Sequence, residues 1–392
     1  MRKRLFVLPG IVLGIILLTT GSFAPSEAND RYVHPDSLWA QWGDVSLRME
    51  KSGRLQAYFE SLHRRRRFQG AVLVAEQGVV LHKGYYGMAD MRRQMPITDT
   101  TAFQLASVSK MFTAAAVLLL YEEGKIDLDD EVSAHLPGWP YAGMTIRHLL
   151  NHRSGLARYM AVASWYWKTP REPMSNADVL RQYIRHKPVH FFTPGKGFNY
   201  CNTNYVILAC LVEQVSGLSF PAFMEERVFC PLDMRQAMIY SRVEDPEIAQ
   251  EAIGYKAGGR GPYRAPNDYI DGVYGDKGMY ASLRDLWQFE QAIRAGRLLR
   301  PGTWEQAFTP PPGTRGNYGF GWRTRQQGDE RLIYHFGWWR GFRTCFMREP
   351  VRDRCVIVLS NYDIPGRNVN YWEVLREVQG SGSLWSDARE EE

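Results

Sequence analysis

Between Met111 and Tyr121 the chain reads Met-Phe-Thr-Ala-Ala-Ala-Val-Leu-Leu-Leu-Tyr, apolar on every face of a helix and free of glycine and proline. A helix with no polar face has nowhere to meet water, so the stretch predicts a central helix with the rest of a fold packed round it. Gly124 supplies its stop. Ser107 and Lys110 stand at the head of that helix, three residues apart, hence on one face and within mutual reach. A lysine on a buried helix is costly to keep charged, and an amine relieved of its charge accepts the proton of a neighbouring hydroxyl. A serine beside such a base is an activated nucleophile, and the unpaired N–H groups of a helix start stabilise an oxyanion formed on it. Ser-x-x-Lys also arises by chance, so a coincidental pair stands beside a catalytic one.

The chain has 392 residues, 45% of them hydrophobic and 13% aromatic, which is globular and long enough for one large domain or two closely joined ones. Arg2, Lys3 and Arg4 supply half of the formal net charge of +6, so nucleic acid is not expected as a partner. The one basic block, Arg64 to Arg67, reads as a solvated helix end. Residues 1–28 have the layout of a secretory signal: a basic start, an apolar run from Leu5 to Leu18, and small or polar residues ending Ser26-Glu27-Ala28. Export to the periplasm or beyond is expected. The uncharged run from Leu5 to Ala24 is equally long enough to remain as a membrane anchor. Five cysteines are too few and too scattered for a disulfide framework, and none forms a Cys-x-x-Cys pair. Cys345 and Cys355 lie symmetrically about a turn near Pro350, so they are either a cross-strand bridge or two buried thiols.

Taken in order, residues 45–63 carry a helical pattern, and two strand-like runs, 70–75 and 79–85, flank Glu76-Gln77-Gly78 as a hairpin. From 127 to 216 a helical pattern broken by six prolines reads as an α-helical insertion. His148 and His152 stand four apart inside it without the carboxylate of a zinc-binding helix, so a structural role is expected and no metal. Tyr200 and Asn202 sit where a Pro/Gly-rich loop enters an apolar helix at 206–215. Here a tyrosine beside an ammonium is a possible proton carrier, and Tyr-x-Asn is also consistent with a packed ring and a cap. A long loop follows at 254–275, then a helix at 279–295, strands at 331–336, 341–348 and 355–360, a last helix near 368–378 and an acidic tail at 381–392. The strand-rich ends are expected to close into one sheet round the helical insertion, in a domain spanning 45–380.

The order Ser107-x-x-Lys110, Tyr200-x-Asn202, His335-Phe336-Gly337 resembles the serine β-lactamase and penicillin-binding protein superfamily, in the branch of class C β-lactamases, D-peptidases and β-lactamase-like esterases. The segments His148 to Leu156, Gly275 to Ser282 and Tyr318 to Trp322 are similar to that family as well. The resemblance implies an α/β, β-lactamase/transpeptidase-like fold: an antiparallel sheet flanked by helices plus an all-α region. It implies that Ser107 is acylated, that Lys110 and Tyr200 move its proton, and that Asn202 positions the acyl amide. His335 takes the place of a substrate-binding lysine, with an oxyanion hole at the N–H groups of Ser107 and Trp338. His335 and Phe336 replace the usual lysine and threonine, so efficient β-lactam hydrolysis is not implied. Trp338 and Trp339 point to a pocket for an apolar or aromatic acyl group beside Gly337, and His335 to a donor for the leaving group. The partner is a small-molecule or peptide substrate, with no cofactor. An inert, ligand-holding member of the family is the rival reading. No Gly-x-Ser-x-Gly elbow is present, which excludes an α/β-hydrolase.

Overall fold

The computed structural model describes residues 35–313, 316–366 and 368–379. The expected signal or anchor at 1–28 and the acidic tail at 381–392 lie outside the described residues. Among the described residues, those up to Ser46 form one unit and those from Leu47 a second, which contains the sheet and every candidate site residue. Among the described residues no single helix is long and apolar enough to cross a membrane.

A six-stranded antiparallel sheet organises the larger unit. Its strands are β1 (Gly70–Glu76), β2 (Val79–Tyr86), β3 (Arg323–Gln327), β4 (Glu330–Trp339), β5 (Phe342–Glu349) and β6 (Arg354–Ser360), in the spatial order β3-β4-β5-β6-β1-β2. The N-terminal hairpin thus completes a sheet made by the C-terminal part, pairing Gly70 to Glu76 of β1 with Ser360 to Arg354 of β6. Alternation splits each strand between two cores. On one face Leu55, Phe59 and Leu62 of helix α1 (Pro35–Arg64) meet Val72, Val74, Met347 and Val356. The other face carries Leu73, Phe346 and Ile357 and covers the central helix α2 (Ser109–Glu122).

In α2 every residue from Ser109 to Leu120 is buried, as a helix without a polar face requires. The rings of Phe112 and Phe289 lie 4.2 Å apart, centroid to centroid. Each fully buried apolar side chain of this kind contributes about 1.5–3 kcal/mol. Helices of the 127–216 region build outward from α2: α5 (Asn202–Ser216) packs on it, α4 (Asn176–His186) on α5, and α3 (Tyr159–Tyr166) on α4. Ser175 caps α4 in a reciprocal box with Asp178. Gly217, left-handed at φ +75°, ends α5.

Two sequence expectations are corrected, and the alternative left open for the cysteine pair is decided. Met279 to Ala281 is a strand, paired with Phe103–Gln104 and with Met238–Ile239, and α6 (Leu283–Arg294) begins only after Ser282, which caps it. Three apolar residues in a row carry no period that separates strand from helix. Inside the 254–275 loop a short ladder forms, with Tyr255–Lys256 between Tyr263–Arg264 and Tyr362–Asp363. Cys345 and Cys355 do not face each other: the register sets Cys345 opposite Val358 and Cys355 opposite Arg348. They point into different cores, and all five cysteines are free thiols. Thiol titration of the denatured chain is therefore expected to give five thiols with or without prior reduction. Fewer thiols before reduction than after it would contradict this register.

Candidate active site

Ser107 sits in a single 3-10 turn, Ala106 to Val108, that runs directly into α2. The turn is reached through Ala106 at φ +51°, a left-handed conformation costly for a residue with a Cβ. Lys110 lies one turn on and is completely buried. Its Nζ is 3.0 Å from Ser107 Oγ and donates to the Asp276 carbonyl at 2.7 Å. The segment 275–279 grips the same helix start elsewhere. Thr113 donates to the Gly275 carbonyl at 2.8 Å, Met279 N–H to Ser109 Oγ at 3.2 Å, and Leu105 N–H to the Met279 carbonyl at 2.8 Å. The remaining side of the Lys110 ammonium faces rings, those of Tyr200 and Tyr205 at 5.2 and 5.8 Å.

Tyr200 and Asn202 come from the start of α5, of which Asn202 is the first residue. Both line the cavity that holds Ser107, and among the described residues neither Tyr200 Oη nor Asn202 Oδ1 has a hydrogen-bond partner. Tyr200 Oη thus makes no hydrogen bond to Ser107. Behind it His152, buried and left-handed at φ +58°, packs its ring 4.4 Å from those of Tyr200 and Tyr318. His152 Nδ1 accepts from the Cys201 N–H and from Asn204, both at 3.2 Å, which leaves the proton on Nε2. Burial, then the neighbouring Lys110 ammonium, holds His152 well below the usual imidazole range. His148 is placed apart from it, its Nδ1 accepting the Thr145 N–H in the cap of the short helix at 146–150. No group of metal-binding side chains is found among the described residues.

His335 lies on β4, buried, with both nitrogens engaged. Tyr318 donates to Nε2 at 2.8 Å and Nδ1 donates to the Phe336 carbonyl at 2.7 Å. Burial raises the Tyr318 phenol well above its usual value, so it keeps the proton it donates. Burial first, then Lys110 and Arg323, pushes His335 well below 6.5. His335 is thus a neutral ring where the resemblance places a lysine, and one expectation is corrected: it has no free nitrogen with which to protonate a leaving group.

β3 pairs with β4 only from Arg323↔Tyr334 to Gln327↔Glu330, so residues 335–339 of β4 have no strand partner on that side. Phe336 and Trp338 present their main-chain groups to the same edge by alternation. Gly337 is where this edge meets the Ser107 turn. A Cβ there would stand 2.2 Å from Thr344 Oγ1 and 2.4 Å from the Leu105 carbonyl, which only glycine avoids. Thr344 ties the two elements from below by donating to that Leu105 carbonyl at 2.6 Å. The paired tryptophans do not form one pocket. Trp339 turns to the Ser107 face and donates to Asp271 at 2.7 Å, while Trp338 points to the opposite face and lines the cavity.

That cavity encloses about 840 Å³. Arg323, Arg325, Arg158 and Arg343 line it, and none of its described lining residues is acidic. The Arg323 guanidinium reaches over the open edge to within 5.4 Å of the Tyr200 ring and donates to the Asn317 side chain at 3.4 Å. Among the described residues no carboxylate pairs with it.

A buried lysine beside a serine at a helix start faces an open sheet edge, and the beta-lactamase family model matches residues 55–379. The chain belongs to the beta-lactamase family. It is 35% identical over 329 residues to penicillin-binding protein 4* of Bacillus subtilis, covering 80% of this chain and 73% of that protein. It is 33% identical over 277 residues to a D-aminopeptidase of Brucella anthropi, covering 70% of this chain and 52% of that enzyme. The beta-lactamase-family chain thus spans about half the length of that aminopeptidase. Among solved structures, a penicillin-binding protein from Bacillus halodurans superposes with a TM-score of 0.71 at 25% identity, over 82% of this chain and 98% of the other. The D-amino acid amidase of Ochrobactrum anthropi SV3 shares the fold at a TM-score of 0.68 and 23% identity, over 85% of this chain and 98% of the other. The fold is the β-lactamase/transpeptidase-like one.

The structure brings Ser107, Lys110, Tyr200, Asn202, His335, Gly337 and Trp338 together round one cavity, apart from the buried Lys110 all on its wall or at its edge. Sequence reasoning missed Arg323, Tyr318 as the partner of His335, and Asp276 as the anchor of Lys110. The two neutral histidines have a measurable consequence. Below pH about 6.5 the unfolded chain binds protons that the folded one refuses. Stability is then complete above that pH and falls as pH drops, by about 1.4 kcal/mol per unit for each such histidine. Denaturant unfolding at pH about 7.5 and about 5.5, either side of that value, is expected to show the loss, with a shallower slope in His335→Gln; a flat profile would contradict it.

Proposed function

We propose that the protein is an exported serine hydrolase that works through an acyl-enzyme on amides or esters carrying a carboxylate, with C-terminal D-amino-acid peptides as the first class to test. The observation that carries the reading is the 3.0 Å contact between Lys110 Nζ and Ser107 Oγ at the wall of a cavity. Once Lys110 has given up its own proton, Ser107 Oγ attacks the substrate carbonyl and the hydroxyl proton passes to the resulting amine, the base within hydrogen-bond distance. The carbonyl oxygen becomes an oxyanion held by the N–H groups of Ser107 and Trp338. Each such donor is worth about 3–4 kcal/mol in related chemistry. As the tetrahedral adduct collapses, the leaving amine or alkoxide takes a proton from Tyr200 Oη, an unpartnered hydroxyl of the cavity wall, and Lys110 passes to Tyr200 the proton it took from Ser107. Water then attacks the acyl-serine and gives up its proton by the reverse route. Asn202 Oδ1, unpartnered and in the cavity, takes the N–H of the acyl amide.

Support for an anionic substrate comes from the lining. Arginines with no acidic residue among the described lining repel a free ammonium and attract a carboxylate. Arg323, without a carboxylate of its own, supplies the fork that a neutral His335 and an apolar Phe336 do not. The relatives named D-aminopeptidase and D-amino acid amidase support the D-configured class. Export rests on Arg2-Lys3-Arg4 followed by the apolar run to Leu18.

Intact-mass analysis after brief exposure to an activated ester and to an N-acyl-D-alanyl-D-alanine peptide tests the nucleophile. The wild type is expected to gain the acyl mass or release product, and Ser107→Ala to do neither. Reaction of both proteins, or of neither, would overturn the reading. Arg323→Met is expected to narrow the preference for the free acid over its matched amide by about tenfold in kcat/KM, the worth of one charge-assisted pair.

A further inference from the structure

The cavity does not end at the catalytic face of the sheet. It passes over the unpaired edge of β4 and continues on the opposite face, where Tyr334, Phe336, Trp338 and Arg343 line it with Tyr371 and Trp372 of the helix α7 (Tyr371–Gln379). The rings there form a continuous floor. Phe336 lies 4.9 Å from both Tyr334 and Tyr371, and Tyr334 lies 5.8 Å from Trp372. Trp338 stands at the open end and is 53% exposed, the large apolar side chain of this floor that meets solvent.

That indole is held still. Its Nε1 donates to Asp363 at 2.9 Å, the Arg343 guanidinium stacks 4.2 Å from its ring, and Arg343 is itself paired to Asp363 at 2.9 Å. An exposed tryptophan fixed at both ends gives up its rotamer freedom with no burial to offset the loss. A flat ring held in this way is pre-organised to receive another flat or apolar surface. The position is also specific to alternation: Phe336 and Trp338 are on this face because Gly337 is on the other, against the Ser107 turn.

We propose that this aromatic floor is a second subsite of the same active site, which takes an aromatic or bulky apolar group of the substrate lying across the edge of β4 from the reacting carbonyl. The inference rests on Ser107 being the acylated nucleophile. The group belongs either to the acyl part or to the leaving part of the substrate; its chemistry is the same in both.

Two matched peptide series test it. One keeps the acyl group and exchanges a C-terminal D-alanine for D-phenylalanine; the other keeps D-alanine and exchanges an acetyl for a phenylacetyl group. The wild type is expected to prefer the ring by about tenfold or more in kcat/KM in one series, which then identifies the end that occupies the floor. Trp338→Ala is expected to bring that ratio close to one, and Trp338→Phe to keep most of it. Absence of a ring preference in both series of the wild type, or a preference that Trp338→Ala leaves intact, would overturn the subsite. Ser107→Ala is run beside them: loss of all turnover in it with no ring preference in the wild type sinks the subsite alone, whereas residual turnover sinks the acyl-enzyme reading itself.

Discussion

One buried ammonium sets the terms for the rest of the site. Lys110 has no exposed surface, and its two hydrogen-bonding oxygens are the Ser107 hydroxyl and the Asp276 carbonyl. A cation in the middle of a protein is costly unless its surroundings are arranged to meet it. Here carbonyl dipoles and ring faces meet it, while the nearby Asp276 carboxylate turns away: its Oδ2 takes the Tyr159 hydroxyl at 3.2 Å, and Lys277 stands beside its Oδ1 at 3.6 Å. Three separate parts of the chain, the start of α2, the 275–279 segment and the start of α5, are brought to one point by this arrangement. The field of Lys110 then reaches outward, and after desolvation it is the largest cause that keeps His152 and His335 neutral.

The second constraint is the length of β3. Because its pairing with β4 stops at Arg323↔Tyr334, the far half of β4 keeps free main-chain groups on one side, beside a sheet whose inner strands are paired on both. An open edge is a hazard for a sheet in water and is normally blunted. Here the edge is shielded by Arg323, which hooks across it, and by Trp338 at its end, and it opens into the cavity. Strain is placed at the same spot. Ala106 is left-handed so that Ser107 can turn toward the edge, and Gly337 lets the two backbones approach closely.

The features legible in the sequence were those carried by local pattern. The helix at 111–121 declared itself by having no polar face, Ser107 and Lys110 by their spacing, and the N-terminal hairpin by its turn; all depend on residues close together in the chain. What stayed hidden depends on register. Whether Cys345 meets Cys355, whether Trp338 and Trp339 share a pocket and which way Arg323 reaches are each decided by a shift of one residue in a strand. His335 was legible as a position and misleading as a chemistry, since its two partners, Tyr318 and the Phe336 carbonyl, come from tertiary packing and from its own strand.

Charge joins these observations. A site that used a lysine or a protonated histidine in the third motif would put a second cation close to Lys110, in the same low-dielectric space. In this chain that position is neutral, and a guanidinium, that of Arg323, stands instead at the partly exposed rim, where its desolvation cost is smaller. The exchange relieves the far side of β4 of any polar role. Phe336 can stand where a hydroxyl would otherwise serve, its ring joins Tyr334 and Tyr371, and the cavity becomes aromatic where it leaves the catalytic face. On the proposed reading the neutral ring of His335 bears on both ends of the site at once, the polar end by leaving anion binding to Arg323 and the apolar end by letting Phe336 join the rings.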